Sequence, residues 1–485
     1  MTTRVVVVGA GMVGHRLAEE LCRRDPEGRL DVRVVGAEAY EPYNRVLLSE
    51  VVAGRAAWRS LTLPELPARV EVRRSVAACS VDREARTVLL DDGTAWGWDH
   101  LVLATGAAAF VPPVAGLEER PRHVHVLRDL DDVRAVVSRS ANARHAVVLG
   151  GGVLGLEVAA GLHHRGVGVT VLQVDPSLMT GQLDPAPAAV LARRLEESGV
   201  RVRTGTSVAE VLQAYGELVA VRLTDGTVMS TDLLVMSCGV RARTGLAADA
   251  GLPVDRGIVV GRDLASPADP RVHAIGDCAQ EPGSVPGLVA TGWDQAARLA
   301  ARLVGAPLEE APAVDDGSGD IRLKAVGVDL VALGVRASAA LPEDRVITVD
   351  DPSGGRHLSL VVRGEHLVGA TVLGAPAVAA EVSVALDRRT PLPRDPLALL
   401  TPERTGESTS PMRMPGATTV CRCNSVTKAQ VVEAWEAGAD SVEKVAARTR
   451  ATTGCGGCRE VVCGLVDWLA SVDPLEPVPV PVTSA

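Results

Sequence analysis

Aromatic side chains are scarce in this sequence of 485 residues. Phe, Trp and Tyr together make up 2% of it, with a single Phe, whereas hydrophobic residues make up 47% and charged residues 23%. That balance of hydrophobic and charged residues is typical of soluble globular proteins. We therefore expect a core of Val, Leu, Ala and Ile, and the length predicts several domains rather than one.

Long apolar runs and an excess of positive charge are also missing. No run approaches the roughly 20 apolar residues that a membrane-spanning helix needs. Val5–Val8 lead into a glycine turn and not into the cleavage site of a signal peptide. The formal net charge of −10 argues against a general nucleic-acid binder. We expect a cytoplasmic protein that binds neither a membrane nor nucleic acid.

What the sequence does contain is a duplicated unit of strand, glycine-rich turn, helix and strand. The strands and helices of the two copies are predicted at Arg4–Val8, Leu17–Arg24 and Val32–Val35, and at Ala146–Leu149, Leu156–Arg165 and Val169–Leu172. Such βαβ units predict parallel sheets with right-handed crossovers. Farther along, Leu358–Val362 and Leu367–Leu373 indicate an antiparallel hairpin, which predicts a separate α+β domain.

The first turn has the spacing of a dinucleotide-binding loop, with Gly9, Gly11 and Gly14 between a strand and a helix. The first glycine permits a tight turn, the second lets the backbone approach a pyrophosphate, and the third lets the helix pack closely on the strand. The helix N-terminus then faces the phosphates. Glu38, 24 residues after Gly14, is the candidate to bind a ribose hydroxyl.

The second turn repeats this spacing with Gly150, Gly152 and Gly155, but the next strand ends at Gln173 and not at an acid. Glutamine can bind a ribose hydroxyl without repelling a 2′-phosphate. No arginine stands beside it in the sequence to attract such a phosphate. We expect this site to prefer NADH over NADPH.

Two dinucleotide sites in one chain indicate a flavin that is reduced by a nicotinamide cofactor. Two further segments support this interpretation. Ala104, Thr105 and Gly106 close the first unit, and Gly276 precedes Asp277 at the end of a predicted strand. The Asp277 carboxylate can accept a hydrogen bond from a hydroxyl of the flavin's sugar chain.

These residues resemble the two-dinucleotide flavoprotein reductases, the broad group of rubredoxin, ferredoxin and nitrite reductases. The matching segments are Tyr43–Ser49, Asp99–Gly106, Gly155–Glu157 and Gln182–Asp184. The first of them contains Arg45. The resemblance implies that the first loop and Asp277 bind FAD, that the second loop binds NADH or NADPH, and that Glu157 lies near the nicotinamide. Many relatives have lysine after the serine that matches Ser49, where this chain has Glu50.

Redox cysteine pairs are absent from the first 400 residues, where Cys22, Cys79, Cys238 and Cys278 stand singly. A single cysteine most often behaves as a small buried apolar residue. Thiol chemistry beside the flavin is therefore not expected, and the electrons need another exit.

Four cysteines near the C-terminus offer that exit. Cys421 and Cys423 share one side of an extended chain, and Cys455 and Cys458 stand in a glycine-rich turn before a predicted helix, Glu460–Ala470. Four thiolates suit either a [2Fe–2S] cluster or a structural zinc ion. Attachment to a flavin reductase favours iron, because zinc carries no electrons. The segment also resembles the small [2Fe–2S] domain typified by bacterioferritin-associated ferredoxin, with all four ligand positions matching.

We predict an α/β protein with two Rossmann-like domains, an α+β interface domain and a small helical [2Fe–2S] domain. The predicted boundaries are 1–110 plus 245–310 for the FAD domain, 111–244 for the NAD(P)H domain, 318–400 for the interface domain, 401–417 for a linker, 418–472 for the [2Fe–2S] domain and 473–485 for a disordered tail.

The pairing of these modules most resembles the NADH-dependent reductase portion of assimilatory nitrite and nitrate reductases. Because the chain ends after the cysteine segment, we expect an electron-transfer subunit that reduces a nitrate or nitrite reductase, and a homo-oligomer is compatible with the sequence. Three alternatives stay open. They are a rubredoxin- or ferredoxin-type reductase, an amino-acid or opine dehydrogenase subunit, and a non-catalytic flavoprotein with a zinc-bound interaction module.

Overall fold

A computed structural model describes residues 2–119, 121–282, 287–306, 320–400, 414–421, 424, 426–454 and 456–472. The chain divides into two compact units, residues 1–402 and 403–485. Residues 401–413 of the predicted linker and the whole predicted tail, 473–485, lie outside the described residues. Within the described ranges, no helix combines the length and apolar character that a membrane span requires.

The first unit contains four runs of helices and strands. Residues 3–109 form β1 (Thr3–Val8), α1 (Met12–Arg24), β2 (Leu30–Gly36), α2 (Leu48–Val52), β3 (Glu71–Arg74), β4 (Ala78–Asp82), β5 (Thr87–Leu90), β6 (Ala95–Gly97), β7 (His100–Leu103) and β8 (Ala107–Ala109). Residues 124–242 form β9 (Val124–Val126), α3 (Leu130–Ser140), β10 (His145–Leu149), α4 (Val153–His164), β11 (Gly168–Gln173), α5 (Pro185–Glu197), β12 (Val200–Thr204), β13 (Val208–Ala214), β14 (Glu217–Leu223), β15 (Val228–Ser230), β16 (Leu233–Met236) and β17 (Val240–Ala242). Residues 245–303 form α6 (Gly245–Asp249), β18 (Ile258–Val259), β19 (Ala265–Ser266), β20 (Asp269–Ala274), β21 (Ala279–Gln280) and α7 (Val289–Leu303). Residues 321–388 form β22 (Ile321–Leu323), β23 (Leu330–Gly334), β24 (Arg345–Asp351), β25 (Arg356–Arg363), β26 (His366–Leu373) and α8 (Pro376–Arg388).

Two parallel sheets share one arrangement. The first has the order β19-β20-β7-β1-β2-β3, parallel except for β19. The second has the order β12-β11-β10-β16-β9 and is parallel throughout. β1 and β10 each lie between the strand that follows in the chain and a later strand, which is the switch point where α/β sheets bind ligands. The α/β fold class predicted from the sequence is confirmed.

Apolar runs explain why these strands form. Val5, Val6 and Val7 are fully buried, as expected of a parallel strand that is covered on both faces. The helices begin earlier than predicted: α1 starts at Met12 and not at Leu17, and α4 starts at Val153. The reason is that the glycine turn sets the helix start, whereas the apolar pattern marks only the buried stretch.

The interface region forms an antiparallel sheet in the order β22-β23-β26-β25-β24. Its β25 and β26 confirm the predicted hairpin. The cores of the first unit consist mainly of Val, Leu and Ala, as the composition predicts. The finer domain boundaries stay a prediction.

The second unit pairs β27 (Thr419–Cys421) with β28 (Val426–Thr427) and adds α9 (Lys428–Glu436), α10 (Val442–Thr449) and α11 (Arg459–Val472). Its helices share a core that contains Trp435, Val445 and Val462. The helix predicted at Glu460–Ala470 is thus confirmed.

Candidate functional site

The first glycine loop leaves no room for side chains at two of its three glycines. Gly9 has a φ of +120°, and a Cβ there would lie 2.1 Å from the Ala104 carbonyl oxygen. A Cβ at Gly14 would lie 2.0 Å from the Gly9 carbonyl oxygen. At Gly11, the nearest atom to such a Cβ is the Arg45 Nε, at 3.9 Å. The middle glycine therefore faces open space, where a pyrophosphate fits against the backbone.

Glu38 is already bonded to two side chains of the same segment. Its carboxylate forms an ion pair with Arg45 and accepts a hydrogen bond from the Tyr43 hydroxyl at 2.6 Å. Burial raises the pKa of the Tyr43 hydroxyl above its usual range, so this group stays a donor. Burial lowers the pKa of Arg45, but the neighbouring Tyr43 and Glu38 more than offset that effect. The ribose contact predicted for Glu38 stays a prediction.

Asp277 lies beside the first loop. It follows β20 in a short 3₁₀ helix, Gly276–Cys278, and a Cβ at Gly276 would lie 3.2 Å from Val13 of α1. The Asp277 carboxylate accepts a hydrogen bond from Arg128 at 2.5 Å. The carbonyl oxygen of Arg128 in turn accepts a bond from the Arg45 guanidinium at 3.3 Å. Two arginine guanidinium groups, each paired with a carboxylate, therefore stand near the loop, where their N–H groups can donate to a pyrophosphate.

Ala104, Thr105 and Gly106 connect this loop to the second dinucleotide region. The Ala104 N–H donates to the Val8 carbonyl at 2.8 Å, and the Thr105 hydroxyl donates to the Arg243 carbonyl at 2.8 Å. The Arg243 N–H donates to the Gly106 carbonyl at 2.9 Å. The structure thus brings all three predicted residues to the junction of the two regions.

The second glycine loop has the same backbone contacts. Gly150 has a φ of +117°, and a Cβ there would lie 2.2 Å from the Ser237 carbonyl oxygen. A Cβ at Gly155 would lie 2.0 Å from the Gly150 carbonyl oxygen, whereas at Gly152 no described atom comes within 4 Å. This loop also leaves space beside its middle glycine for a pyrophosphate.

Gln173 holds the second loop in place. Its side-chain oxygen accepts a hydrogen bond from the Gly151 N–H at 2.7 Å, and its side-chain nitrogen donates to Asp175 at 2.7 Å. Asp175 also accepts a bond from the Thr180 hydroxyl at 2.9 Å. A carboxylate therefore stands beside Gln173 at the edge of the second loop, and the ribose contact of Gln173 stays a prediction.

Glu157 is buried where the two dinucleotide regions meet. It lies on α4, directly after the second loop, with its side chain 3% exposed. One carboxylate oxygen accepts a bond from the Ser49 hydroxyl of α2 at 2.5 Å. The other accepts a bond from the Lys324 N–H at 3.0 Å, and the Lys324 ammonium lies 3.6 Å away.

Two cysteines of the first unit, Cys238 and Cys278, are poor nucleophiles. Burial raises the pKa of Cys278, whose thiol donates to the Leu103 and Ile275 carbonyls at 3.3 Å. Burial raises the pKa of Cys238 to about 11. A nucleophilic thiol needs a lowered pKa, so burial disfavours the reactive thiolate form of Cys238 and Cys278.

Two of the four predicted iron ligands lie within the described residues. Cys421 and Cys458 are buried in one core of the second unit. The Cys421 sulfur accepts a bond from the Asn424 side chain at 3.7 Å, and the Cys458 sulfur accepts one from the Thr452 N–H at 3.2 Å. Such N–H donors stabilise thiolate sulfur in iron–sulfur sites. Cys423 and Cys455 lie outside the described residues.

Sequence reasoning missed three charged residues of this site: Arg128, Asp175 and Lys324. Asp175 carried a signal, because it stands 20 residues after Gly155, the usual separation between a dinucleotide loop and its acid. Arg128 and Lys324 carried none, since each meets its partner through a contact more than 100 residues distant in sequence.

Comparison with protein families identifies both modules. Residues 3–296 match the pyridine nucleotide-disulphide oxidoreductase family, and residues 419–468 match the BFD-like [2Fe–2S] binding domain. The predictions of an FAD- and NAD(P)H-binding reductase and of a [2Fe–2S] domain are thereby confirmed. The individual cofactor contacts and metal ligands stay predictions.

Curated relatives extend the similarity across both modules. The chain is 35% identical over 474 residues to the nitrite reductase [NAD(P)H] large subunit of Klebsiella oxytoca, covering 96% of this chain and 49% of the relative. It is 28% identical over 486 residues to the assimilatory nitrate reductase electron transfer subunit of Bacillus subtilis, covering 99% and 61%. The chain thus spans about half to three fifths of the length of these relatives.

Among solved structures, the fold is similar to putidaredoxin reductase in its covalent complex with putidaredoxin. The TM-score is 0.71 at 27% identity, and the match covers 82% of this chain and 95% of the other. The matched range accounts for more than half of the residues and includes both glycine loops described above. The chain therefore belongs to the pyridine nucleotide-disulphide oxidoreductase family and carries a BFD-like [2Fe–2S] binding domain.

Proposed function

We propose that the protein takes a hydride from NADH and delivers single electrons to a partner reductase, as an electron-transfer subunit for nitrate or nitrite reduction. One observation carries the proposal. Two dinucleotide loops of matching geometry lie in one compact unit, and a cysteine-containing [2Fe–2S] module follows in the same chain. The pair of dinucleotide loops supports entry of two electrons as a hydride, and the [2Fe–2S] module supports the exit of electrons one at a time.

Each region has its own part in the proposed route. The first loop, with Arg45, Arg128 and Asp277, holds FAD, and the second loop holds the nicotinamide dinucleotide. Bound there, FAD would supply hydride acceptance from NADH, with release of NAD⁺, and the capacity to give up the two electrons one at a time to a [2Fe–2S] cluster. Glu157 of α4, bonded to Ser49 of α2, orients the two reacting rings from the protein side.

NADH is the proposed donor. The carboxylate of Asp175, bonded to Gln173 at the edge of the second loop, disfavours the additional phosphate of NADPH by charge repulsion. This contact adds to the preference expected from the absence of a neighbouring arginine in the sequence.

The names of the relatives support the identity of the acceptor. Both curated relatives described above are nitrite or nitrate reductase proteins, and one is named as an electron transfer subunit. The proposed partner is therefore the catalytic part of a nitrate or nitrite reductase. The proposal includes a cytoplasmic location, because Cys22, Cys79, Cys238 and Cys278 of the first unit form no disulfide, as suits a reducing compartment.

A second candidate is a reductase for a separate small iron–sulfur protein. The similarity to putidaredoxin reductase over 82% of the chain favours it. In that case electrons would leave from the flavin to a free ferredoxin, and the attached [2Fe–2S] domain would not be required for turnover.

Anaerobic stopped-flow mixing with NADH tests the proposal. The flavin absorbance should fall first, and the electron paramagnetic resonance signal of a reduced [2Fe–2S] cluster should follow. A nitrate or nitrite reductase should then turn over at the expense of NADH. Zinc in place of iron, or reduction of the flavin by an amino acid and not by NADH, would contradict the proposal.

A further inference from the structure

Lys324 makes three contacts at the junction of the dinucleotide regions. Its ammonium donates to the Val46 carbonyl at 2.8 Å and lies 3.6 Å from the Glu157 carboxylate. Its backbone N–H donates to the same carboxylate oxygen at 3.0 Å. Lys324 follows β22 of the interface sheet, so a third region of the chain reaches the point where α2 and α4 meet.

The choice of lysine at this position is unusual for this chain. Of its 50 basic residues only three are lysines, namely Lys324, Lys428 and Lys444, so Lys324 is the sole lysine among residues 1–402. The side chain of Lys324 is 17% exposed. A compact ammonium has three donors on a narrow stem, whereas a guanidinium is broad and planar.

A second contact fixes the backbone of Lys324. The Arg55 guanidinium donates to the Lys324 carbonyl at 2.7 Å and to the Glu50 carboxylate at 2.6 Å. Glu50, the residue after Ser49, is thus bonded to Arg55. The ammonium group beside Glu157 is that of Lys324, which belongs to the interface region. A carboxylate as buried as Glu157 requires such a partner, because an uncompensated buried charge is strongly unfavourable.

Two helices, α4 and α2, connect the surroundings of Glu157 to the two glycine loops. α4 begins at the second glycine loop, and α2 follows Arg45, which borders the first. The helices touch through their backbones, since a Cβ at Gly161 would lie 3.0 Å from the Ala53 nitrogen. Ser49, Glu157 and Lys324 therefore form one bonded group at the contact of the two dinucleotide regions.

We propose that Lys324 is a positioning residue for hydride transfer, which holds the Glu157 carboxylate in one orientation at the meeting point of the two cofactors. The role rests on the proposed function. The interface region thereby contributes a residue, Lys324, to the reductase site. Lys324 acts through Glu157 and does not itself contact a reacting ring.

The test compares four proteins: the unmodified chain, Lys324→Met, Glu157→Gln, and the combination of both. Lys324→Met should keep its FAD. Its limiting rate of flavin reduction, at saturating NADH, should fall on the order of 100-fold, as expected when a reacting group is misplaced by about 1 Å. The dissociation constant for NADH should change much less. In the Glu157→Gln background, Lys324→Met should have little further effect, because both substitutions disturb one interaction.

Two further variants separate positioning from folding. Lys324→Arg retains the charge but not the compact shape and should restore only part of the rate, whereas Lys444→Met, at an exposed pair with Asp440, should have no effect. In urea unfolding of the FAD-free protein, Lys324→Met should be less stable than the combined variant, because it leaves a buried carboxylate unpaired.

Several outcomes would overturn the proposal. They are an unchanged flavin-reduction rate in Lys324→Met, additive effects of the two substitutions, or a loss of stability without a loss of rate. Failure of NADH to reduce the unmodified protein is a different result, which would overturn the proposed function and with it this role.

Discussion

The two glycine loops have nearly identical backbones and different surroundings. Cβ atoms at Gly9 and Gly150 would lie 2.1 and 2.2 Å from the carbonyl oxygens of the residues directly after β7 and β16, and those at Gly14 and Gly155 would both lie 2.0 Å from a loop carbonyl. Around the first loop stand Arg45 and Arg128. The shared backbone provides a phosphate cradle, which by itself does not select a dinucleotide.

Side chains make the selection. Asp277 and two guanidinium groups suit the pyrophosphate and sugar chain of FAD at the first loop, whereas Gln173 and Asp175 border the second. The same local geometry therefore serves two cofactors because residues distant in sequence differ. The following substitutions test this comparison, beginning with those that should have the largest effects.

Gly9→Ala and Gly150→Ala should be the most damaging changes and should damage different cofactor sites. Each forces a side chain against a carbonyl and into a backbone conformation that costs about 1–3 kcal/mol by itself. Gly9→Ala should abolish FAD binding. Gly150→Ala should retain FAD and lose reduction by NADH. Flavin absorbance after purification, followed by anaerobic NADH addition, distinguishes them, and loss of FAD from both would break the comparison.

Arg128→Met should weaken FAD and leave the second site intact. It removes a guanidinium that we expect to contact FAD, and loss of a charge-assisted contact to the cofactor, about 1.5–3 kcal/mol, corresponds to roughly a tenfold to hundredfold rise in the dissociation constant of FAD. Calorimetric titration of the FAD-free protein measures this. Arg193→Met, an exposed arginine of α5, is the matched control. Equal FAD affinity in Arg128→Met and its control would contradict the assignment.

Gly152→Ala tests the open space beside the second loop. Because no described atom lies within 4 Å of the added Cβ, the free energy of unfolding should stay unchanged. The affinity for NADH should fall on the order of tenfold, about 1.4 kcal/mol, as the methyl group meets the pyrophosphate. Unfolding in urea and NAD⁺ titration measure the two quantities. A large loss of stability with unchanged NAD⁺ affinity would show that the loop is only structural.

Asp175→Asn should have the smallest effect. Removing one charge near the additional phosphate should reduce the preference for NADH by about 1 kcal/mol, roughly fivefold in the ratio of kcat/KM values. Steady-state assays with ferricyanide as acceptor give this ratio. If the unmodified protein used NADPH better than NADH, the proposed role of Asp175 would be wrong.

Local patterns explain why much of the fold was predictable. The glycine spacing of Gly9–Gly14 and Gly150–Gly155 is a short-range feature that predicts one particular turn of the backbone. The buried strands before these loops are continuous apolar runs. Helix starts were less accurate, since α1 begins at Met12 before its apolar pattern is apparent.

The side-chain environment was much harder to predict. Arg128 reaches Asp277 across 149 residues, and Lys324 reaches Glu157 across 167. Nothing in the neighbouring sequence marks either contact. Glu38 was singled out for a ribose, yet the structure shows its carboxylate bonded to Arg45 and Tyr43. Charged partners of this kind depend on how the domains pack and not on local spacing.

The most direct measurement is of electron flow in a Cys455→Ser variant, which removes one predicted iron ligand. The proposed route assigns hydride transfer to the two dinucleotide loops alone, so FAD should stay bound and be reduced by NADH at the unmodified rate in stopped-flow. Turnover of a partner nitrate or nitrite reductase should collapse, while ferricyanide, a small acceptor able to reach the flavin, should be affected less. Unchanged turnover of the partner reductase would contradict the proposed route and show that electrons leave directly from the flavin.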